Sequence, residues 1–99
     1  MSKTTSATNI SPSEERMIYA MQLLGDKTRY KMFKLLSGSK ELCVGEIADQ
    51  VGTSISAVSQ HFRNFEMLGL VNKERMGQKI CYGLNSNDKV VKQLSKLIK

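Results

Sequence analysis

A run of polar side chains between positions 53 and 64 has the residue types that form hydrogen bonds with the edges of DNA bases. Gln60 can bond an adenine through two hydrogen bonds, and Arg63 can reach a guanine or neutralise a phosphate. These side chains alternate with apolar ones at helical spacing, which predicts a helix over 55–68 with one polar face. The residues predicted to contact DNA from this helix and its cap are Thr53, Ser54, Ser56, Ala57, Ser59, Gln60, His61 and Arg63.

An ordinary amphipathic surface helix also has a polar face, so the neighbouring elements decide the interpretation. A short helix is predicted over 44–51, and Gly52 separates it from the helix that begins at position 55. In a helix-turn-helix, the first helix packs across the second and holds it at the angle that enters the major groove. The sequence therefore predicts that the helix over 55–68 is a recognition helix.

A basic hairpin follows the predicted recognition helix. Strands are predicted over 70–75 and 79–84, with a turn at residues 76–78. A basic hairpin beside a recognition helix can bind the phosphates of a neighbouring groove, as a wing does. The residues of this basic wing, 71–84, that are predicted to contact DNA are Arg75, Gln78 and Lys79.

Three further helices complete the predicted fold. One begins at a capping box formed by Ser11 and Glu14 and covers 12–24, a second runs from the N-cap Asp26 to about position 37, and the last covers 87–98. The fold class is mainly α with a small β-hairpin: a winged helix-turn-helix of about five helices and a wing sheet of two or three strands. Residues 1–10 are expected to be a flexible tail, and residues 11–99 a single domain for DNA binding and dimerisation.

Composition and charge agree with a nucleic-acid partner. The chain has 99 residues and a net charge of +6, from 15 basic and 9 acidic residues. A basic small domain suits a polyanion, either nucleic acid or an anionic membrane. The polar N-terminus lacks a signal-peptide pattern, and no apolar stretch approaches membrane-spanning length, so we expect a cytoplasmic protein with reduced thiols. No nucleophile–base pair or phosphate-binding loop is evident, which argues against an enzyme.

Three segments resemble the ArsR/SmtB family of bacterial winged-helix repressors. They are LLGDKTRYKMFKLL, ELCVGEIADQVGTSISAVSQHFRNFEMLGLV and KICYGL, and the resemblance covers roughly residues 17–98. The resemblance implies a homodimer, formed through the first and last helices, that binds a palindromic operator in double-stranded DNA and releases it when an inducer is sensed. A protein-interaction module is the alternative function, and salt-dependent DNA binding discriminates between the two.

The family's metal-binding patterns are incomplete in this chain. Relatives carry a cysteine pair in an ELCVCD-like segment. In this chain Gly45, two residues after Cys43, replaces the second cysteine. Another family site uses Asp and His on the last helix, and this chain has Asp88 there but no histidine. The single histidine, His61, lies on the predicted recognition helix. We therefore expect no metal site within one protomer and no cofactor, and the inducer stays unidentified.

Cys43 and Cys81 together form a candidate thiol sensor. Cys43 lies at the start of the helix over 44–51, and a helix N-terminus favours the thiolate. In a winged fold the link before this helix pairs with the returning wing strand, which could make the two thiols neighbours. Oxidation or persulfide bridging would then twist the wing and weaken operator binding. The alternative, which the sequence favours, is two separate half-buried cysteines without redox function.

Overall fold

The computed structural model describes residues 8–98, and it contains every predicted helix and strand with ends within two residues of the predicted ones. Most of the predicted tail, residues 1–7, lies outside the described residues. The helices are α1 (Pro12–Leu23), α2 (Lys27–Ser37), α3 (Val44–Val51), α4 (Ile55–Met67) and α5 (Lys89–Leu97), and the strands are β1 (Leu42–Cys43), β2 (Val71–Met76) and β3 (Lys79–Leu84). The predicted fold class is confirmed.

Side-chain caps set where the helices begin. The Ser11 hydroxyl accepts a hydrogen bond from the Glu14 backbone N–H, and the Glu14 carboxylate accepts one from the Ser11 N–H, so the predicted capping box is present. Asp88 caps α5 by accepting from the Val91 N–H at 3.1 Å. Because Asp88 is the cap rather than a helical residue, α5 begins at Lys89 and not at the predicted position 87.

The wing is a three-stranded antiparallel sheet in the order β1-β3-β2. Strands β2 and β3 form the predicted hairpin, with Val71 opposite Leu84 and Met76 opposite Lys79. Strand β1, the two-residue link before α3, pairs with the other edge of β3. The central strand therefore connects the hairpin to the chain that enters α3.

One hydrophobic core lies between the helices and the sheet. Eight of its largest fully buried side chains come from α2, α3 and α4 and from the residue just before β2. They are Phe33, Phe62, Phe65, Met32, Leu36, Ile47, Val58 and Leu70. Helical spacing in the sequence predicts that Tyr30 of α2 and Ile55 of α4 face the core, and both predictions were wrong. Tyr30 is exposed because Met32 fills the core from α2, and Ile55 is 54% exposed because it lies in the first turn of α4, beyond the core. Within residues 8–98, no helix is both long enough and apolar enough to cross a bilayer.

Arg16 connects three helices through its guanidinium group. Its Nε and Nη2 donate to the Leu68 carbonyl, at 3.1 and 2.6 Å, just beyond the C-terminus of α4. Its Nη1 lies 2.9 Å from Oδ1 of Asp88, the cap of α5. A cation at the end of a helix satisfies carbonyls that have no partner within the helix. Arg16 of α1 thus fixes the end of α4 relative to α5.

Candidate nucleic-acid interface

Helices α3 and α4 form the predicted helix-turn-helix. Gly52 ends α3 in the left-handed conformation, with φ at 73°, and its N–H donates to the Ala48 carbonyl at 3.0 Å. Ser54 then begins α4, and its hydroxyl accepts from the Ala57 N–H at 3.0 Å. Ile47 of α3 packs in the same core as Val58 and Phe62 of α4. Because α4 turns these apolar residues inward, its polar positions face away from the core.

The predicted DNA-contact residues of α4 and its cap lie on the surface or at its edge. Ser54, Ser56, Gln60 and Arg63 are exposed, and Thr53, Ala57, Ser59 and His61 are partly buried. None of these side chains is fully buried, so each can be reached by a ligand that lies along α4. The Ser54 hydroxyl is occupied as an acceptor by its cap, but its O–H can still donate to a phosphate.

The wing brings its polar residues next to this helix. Arg75, Gln78 and Lys79 are all exposed at the tip of the hairpin. A cavity of about 400 Å³ lies between the wing tip and α4, and it is bordered by Gln78 and Lys79 on one side and by Ser59 on the other. Residues 43–46 at the start of α3, together with Ile55 and Ile80, also line it. The structure therefore brings together three predicted DNA-contact residues from two separate elements.

Cys43 and Cys81 form a disulfide bond, which the sequence did not favour. They face each other across the antiparallel β1–β3 pair, with their Cα atoms 3.7 Å apart, well inside the 7 Å limit for a direct bridge. The preferred interpretation of two separate, reduced cysteines was wrong because β1 pairs with β3 in the one register that puts the two residues opposite each other. Cys81 is completely buried, whereas Cys43 is only partly covered.

The segment before α3 is held by the helix itself. The Glu46 carboxylate accepts a hydrogen bond from the Cys43 backbone N–H at 2.9 Å, which ties the disulfide-bonded residue to the first turn of α3. Among residues 8–98, no group of three His, Cys, Asp or Glu side chains is placed to hold a metal ion. The bond to Cys81 also occupies the thiol of Cys43, which the family's metal-binding pattern would use.

Sequence reasoning missed Gly83, which lets β1 approach β3 closely. A Cβ atom on Gly83 would lie 2.7 Å from the backbone carbonyl oxygen of Lys40, closer than such atoms approach. A glycine inside a strand pattern, here between Tyr82 and Leu84, is the signal that a second backbone passes nearby. Sequence reasoning also missed Arg16, whose partners are 52 and 72 residues away; no local pattern points to such contacts.

A helix-turn-helix followed by a three-stranded wing defines a winged helix-turn-helix protein. The model of "Bacterial regulatory protein, arsR family" matches residues 26–73. The transcriptional repressor SdpR of Bacillus subtilis is 32% identical over 63 residues, which is 64% of this chain and 69% of SdpR. The chain belongs to the arsR family of bacterial regulatory proteins.

Two further comparisons support this assignment. A homolog of the cadmium resistance transcriptional regulatory protein CadC from Staphylococcus aureus is 37% identical over 71 residues, or 72% of this chain and 57% of that protein. The chain thus spans little more than half the length of this relative. The solved structure of HlyU from Vibrio cholerae N16961 superposes with a TM-score of 0.78 at 26% identity, covering 89% of this chain and 92% of HlyU.

Replacing Gly83 by alanine is expected to destabilise the fold by about 1–3 kcal/mol, because the added methyl group overlaps the Lys40 backbone. Gly45→Ala is the matched control. Its Cβ would meet no atom within 4 Å, and alanine favours the helix, so this variant should gain up to about 1 kcal/mol. Urea unfolding of both variants measures the two free energies. Equal stability of the two variants would contradict the close approach of β1 at Gly83.

Proposed function

We propose that this protein is a dimeric transcriptional repressor that acts in the cytoplasm by binding a palindromic operator in double-stranded DNA. Helix α4 reads base edges in the major groove, and the wing binds phosphates. The observation that carries this proposal is the shared cavity, because it shows that the polar face of α4 and the basic wing tip border one surface. The net charge of +6 gives the protein as a whole the sign that attracts DNA.

Repression is proposed from the relatives together with the interface. SdpR is named a transcriptional repressor, and the CadC homolog is named a transcriptional regulatory protein of cadmium resistance. A repressor needs only to occupy its operator, which a recognition helix and a wing can do without a further activity. This function requires no catalytic group, so we propose a regulator rather than an enzyme.

Dimerisation through α1 and α5 is proposed from their uncovered apolar side chains. Leu97 of α5 is 80% exposed, and Tyr19 and Met21 of α1 are each about half exposed. The ion pair between Arg16 and Asp88 holds α1 against the start of α5, so these two helices can present one common face. A two-fold dimer would place two copies of α4 against successive major grooves, which is why the operator is proposed to be palindromic.

The Cys43–Cys81 pair is proposed to control release of the operator. The bond joins the residue that begins α3 to the central strand of the wing, so forming or breaking it changes how the wing is fixed to the helix-turn-helix. The Cα atoms of the two cysteines lie 3.7 Å apart, so the bond fixes β3 directly against the residue that precedes α3. Reduction releases this constraint, and the reduced form is the one that binds the operator more tightly.

DNA binding is tested with Gln60→Ala and Lys79→Ala. Loss of the Gln60 amide should cost about 1–3 kcal/mol on the correct operator and relax specificity at one base pair. Loss of the Lys79 ammonium should weaken binding to all duplexes and flatten the salt dependence by about one unit. Lys92→Ala on α5 is the matched control and should leave specificity and slope unchanged. Fluorescence anisotropy over a salt series measures all three variants.

The DNA proposal fails if the wild-type protein shows no preference for its own promoter DNA at any salt concentration. The protein-interaction module would then be the better description. If the salt dependence of DNA binding is unchanged in Lys79→Ala, the wing does not contact the phosphates through Lys79.

Redox control is tested by measuring operator affinity before and after reduction with dithiothreitol. The reduced protein should bind more tightly, because the wing is no longer held by the bond. The double variant Cys43→Ser/Cys81→Ser should bind like the reduced protein and should not respond to dithiothreitol. Equal affinities of the oxidised and reduced wild-type protein would reject thiol control while leaving DNA binding intact.

A further inference from the structure

The two cysteines of the disulfide differ in exposure. The Cys81 side chain has 0% exposure at the centre of the sheet, with β1 on one side and β2 on the other. Cys43 is partly exposed and borders the cavity between α4 and the wing tip. A disulfide is opened by a thiolate that attacks one of its two sulfurs. Access therefore favours attack on Sγ of Cys43.

Leaving-group chemistry acts in the opposite direction. Attack on Cys81 would release the thiolate of Cys43, which the N-terminus of α3 stabilises, and a more stable thiolate leaves faster. Cys81 has no exposed surface, so an attacking thiolate can reach its sulfur only after a local opening of the structure around β3. Burial outweighs the leaving-group effect, so the attack takes place at Cys43.

The cavity has the size and lining that a small thiol needs. Its volume of about 400 Å³ lies in the range of small-molecule sites, roughly 300–1,000 Å³. The cavity is lined by three side chains with hydrogen-bond donors, Ser59, Gln78 and Lys79, and by two apolar side chains, Ile55 and Ile80. Its other charged group, Glu46, is engaged by the Cys43 backbone N–H. A small thiol can therefore be held while its sulfur approaches Sγ of Cys43.

We propose that this cavity is the entry site for a low-molecular-weight thiol that reduces the disulfide at Cys43. The thiolate forms a new S–S bond with Sγ of Cys43, and the electron pair of the old bond leaves on Sγ of Cys81, which takes up a proton. A second thiol attacks the mixed disulfide, leaves as the oxidised dimer of the reagent, and frees Cys43. The inference deepens the proposed redox control and rests on it for its biological meaning.

Mass spectrometry can identify the attacked sulfur. Oxidised wild-type protein is treated briefly with glutathione, quenched with acid, unfolded, alkylated with N-ethylmaleimide and digested with trypsin. Cleavage after Lys40 and Arg63 places Cys43 on the peptide 41–63, and cleavage after Lys79 and Lys89 places Cys81 on the peptide 80–89. The expected product carries glutathione on Cys43 and N-ethylmaleimide on Cys81. Glutathione on Cys81, on both peptides equally, or on neither would overturn the proposal.

A variant that narrows the cavity tests the route. Gly45 lines the cavity, and a Cβ atom added to it would meet no other atom within 4 Å. Gly45→Met therefore places a flexible side chain in the cavity without disturbing α3. This variant should react with glutathione several-fold more slowly than wild type. Gln50→Met, an exposed position on the same helix away from the cavity, should react at the wild-type rate. Equal rates for both variants would overturn the cavity as the route of entry.

These readouts are independent of DNA. If glutathione labels Cys43 but operator affinity does not change on reduction, the entry site stands and the proposed redox control fails. If affinity changes on reduction but the label is on Cys81, the control stands and the entry site fails.

Discussion

The pairing of β1 with β3 is the contact on which the geometry of the interface depends. It is only two residues long, with Leu42 opposite Tyr82 and Cys43 opposite Cys81. Strand β1 runs directly into α3, and α3 packs across α4, while β3 carries the wing. This short ladder therefore sets the position of the wing relative to α4. The disulfide lies in the pair nearest to α3, where a change in spacing reaches both elements.

A second contact joins the same two elements from the core side. The rings of Phe62 in α4 and Tyr82 in β3 stack with their centroids 4.1 Å apart. Burial is also the main reason why the pKa of Tyr82 is raised. Helix α4 is thus held to the wing directly by an aromatic stack and indirectly through α3 and β1. Only the second of these attachments contains the disulfide, which links Cys43 of β1 to Cys81 of β3.

Local chemistry made most of the fold predictable from sequence. Caps at Ser11, Asp26 and Ser54 and a left-handed Gly52 mark helix ends through contacts within four residues, so the pattern contains them. The features that could not be predicted depend on distant chain segments. The disulfide needs the register of β1 against β3, 38 residues away in sequence. The exposure of Ile55 depends on where the core ends rather than on the period of α4.

The candidate interface was predictable in part for the same reason. The polar face of α4 follows from helical spacing, and the structure places all eight of its predicted residues where a ligand can reach them. The cavity between α4 and the wing tip requires residues 43–46, 55–59 and 78–80 to meet, which no local pattern encodes. The predicted DNA-contact residues of α4 therefore stay a prediction that agrees with their exposure, whereas the space between the helix and the wing was not predicted.

We propose that α4 and the wing tip together form one DNA-binding surface. Backbone amide shifts in ¹⁵N-labelled protein, recorded while duplex promoter DNA is added, test it most directly. We expect the largest shifts to fall together in residues 54–63 and 75–79, and we expect the shifts in α5 to be small. Shifts confined to only one of these two segments, or centred on α5, would contradict it.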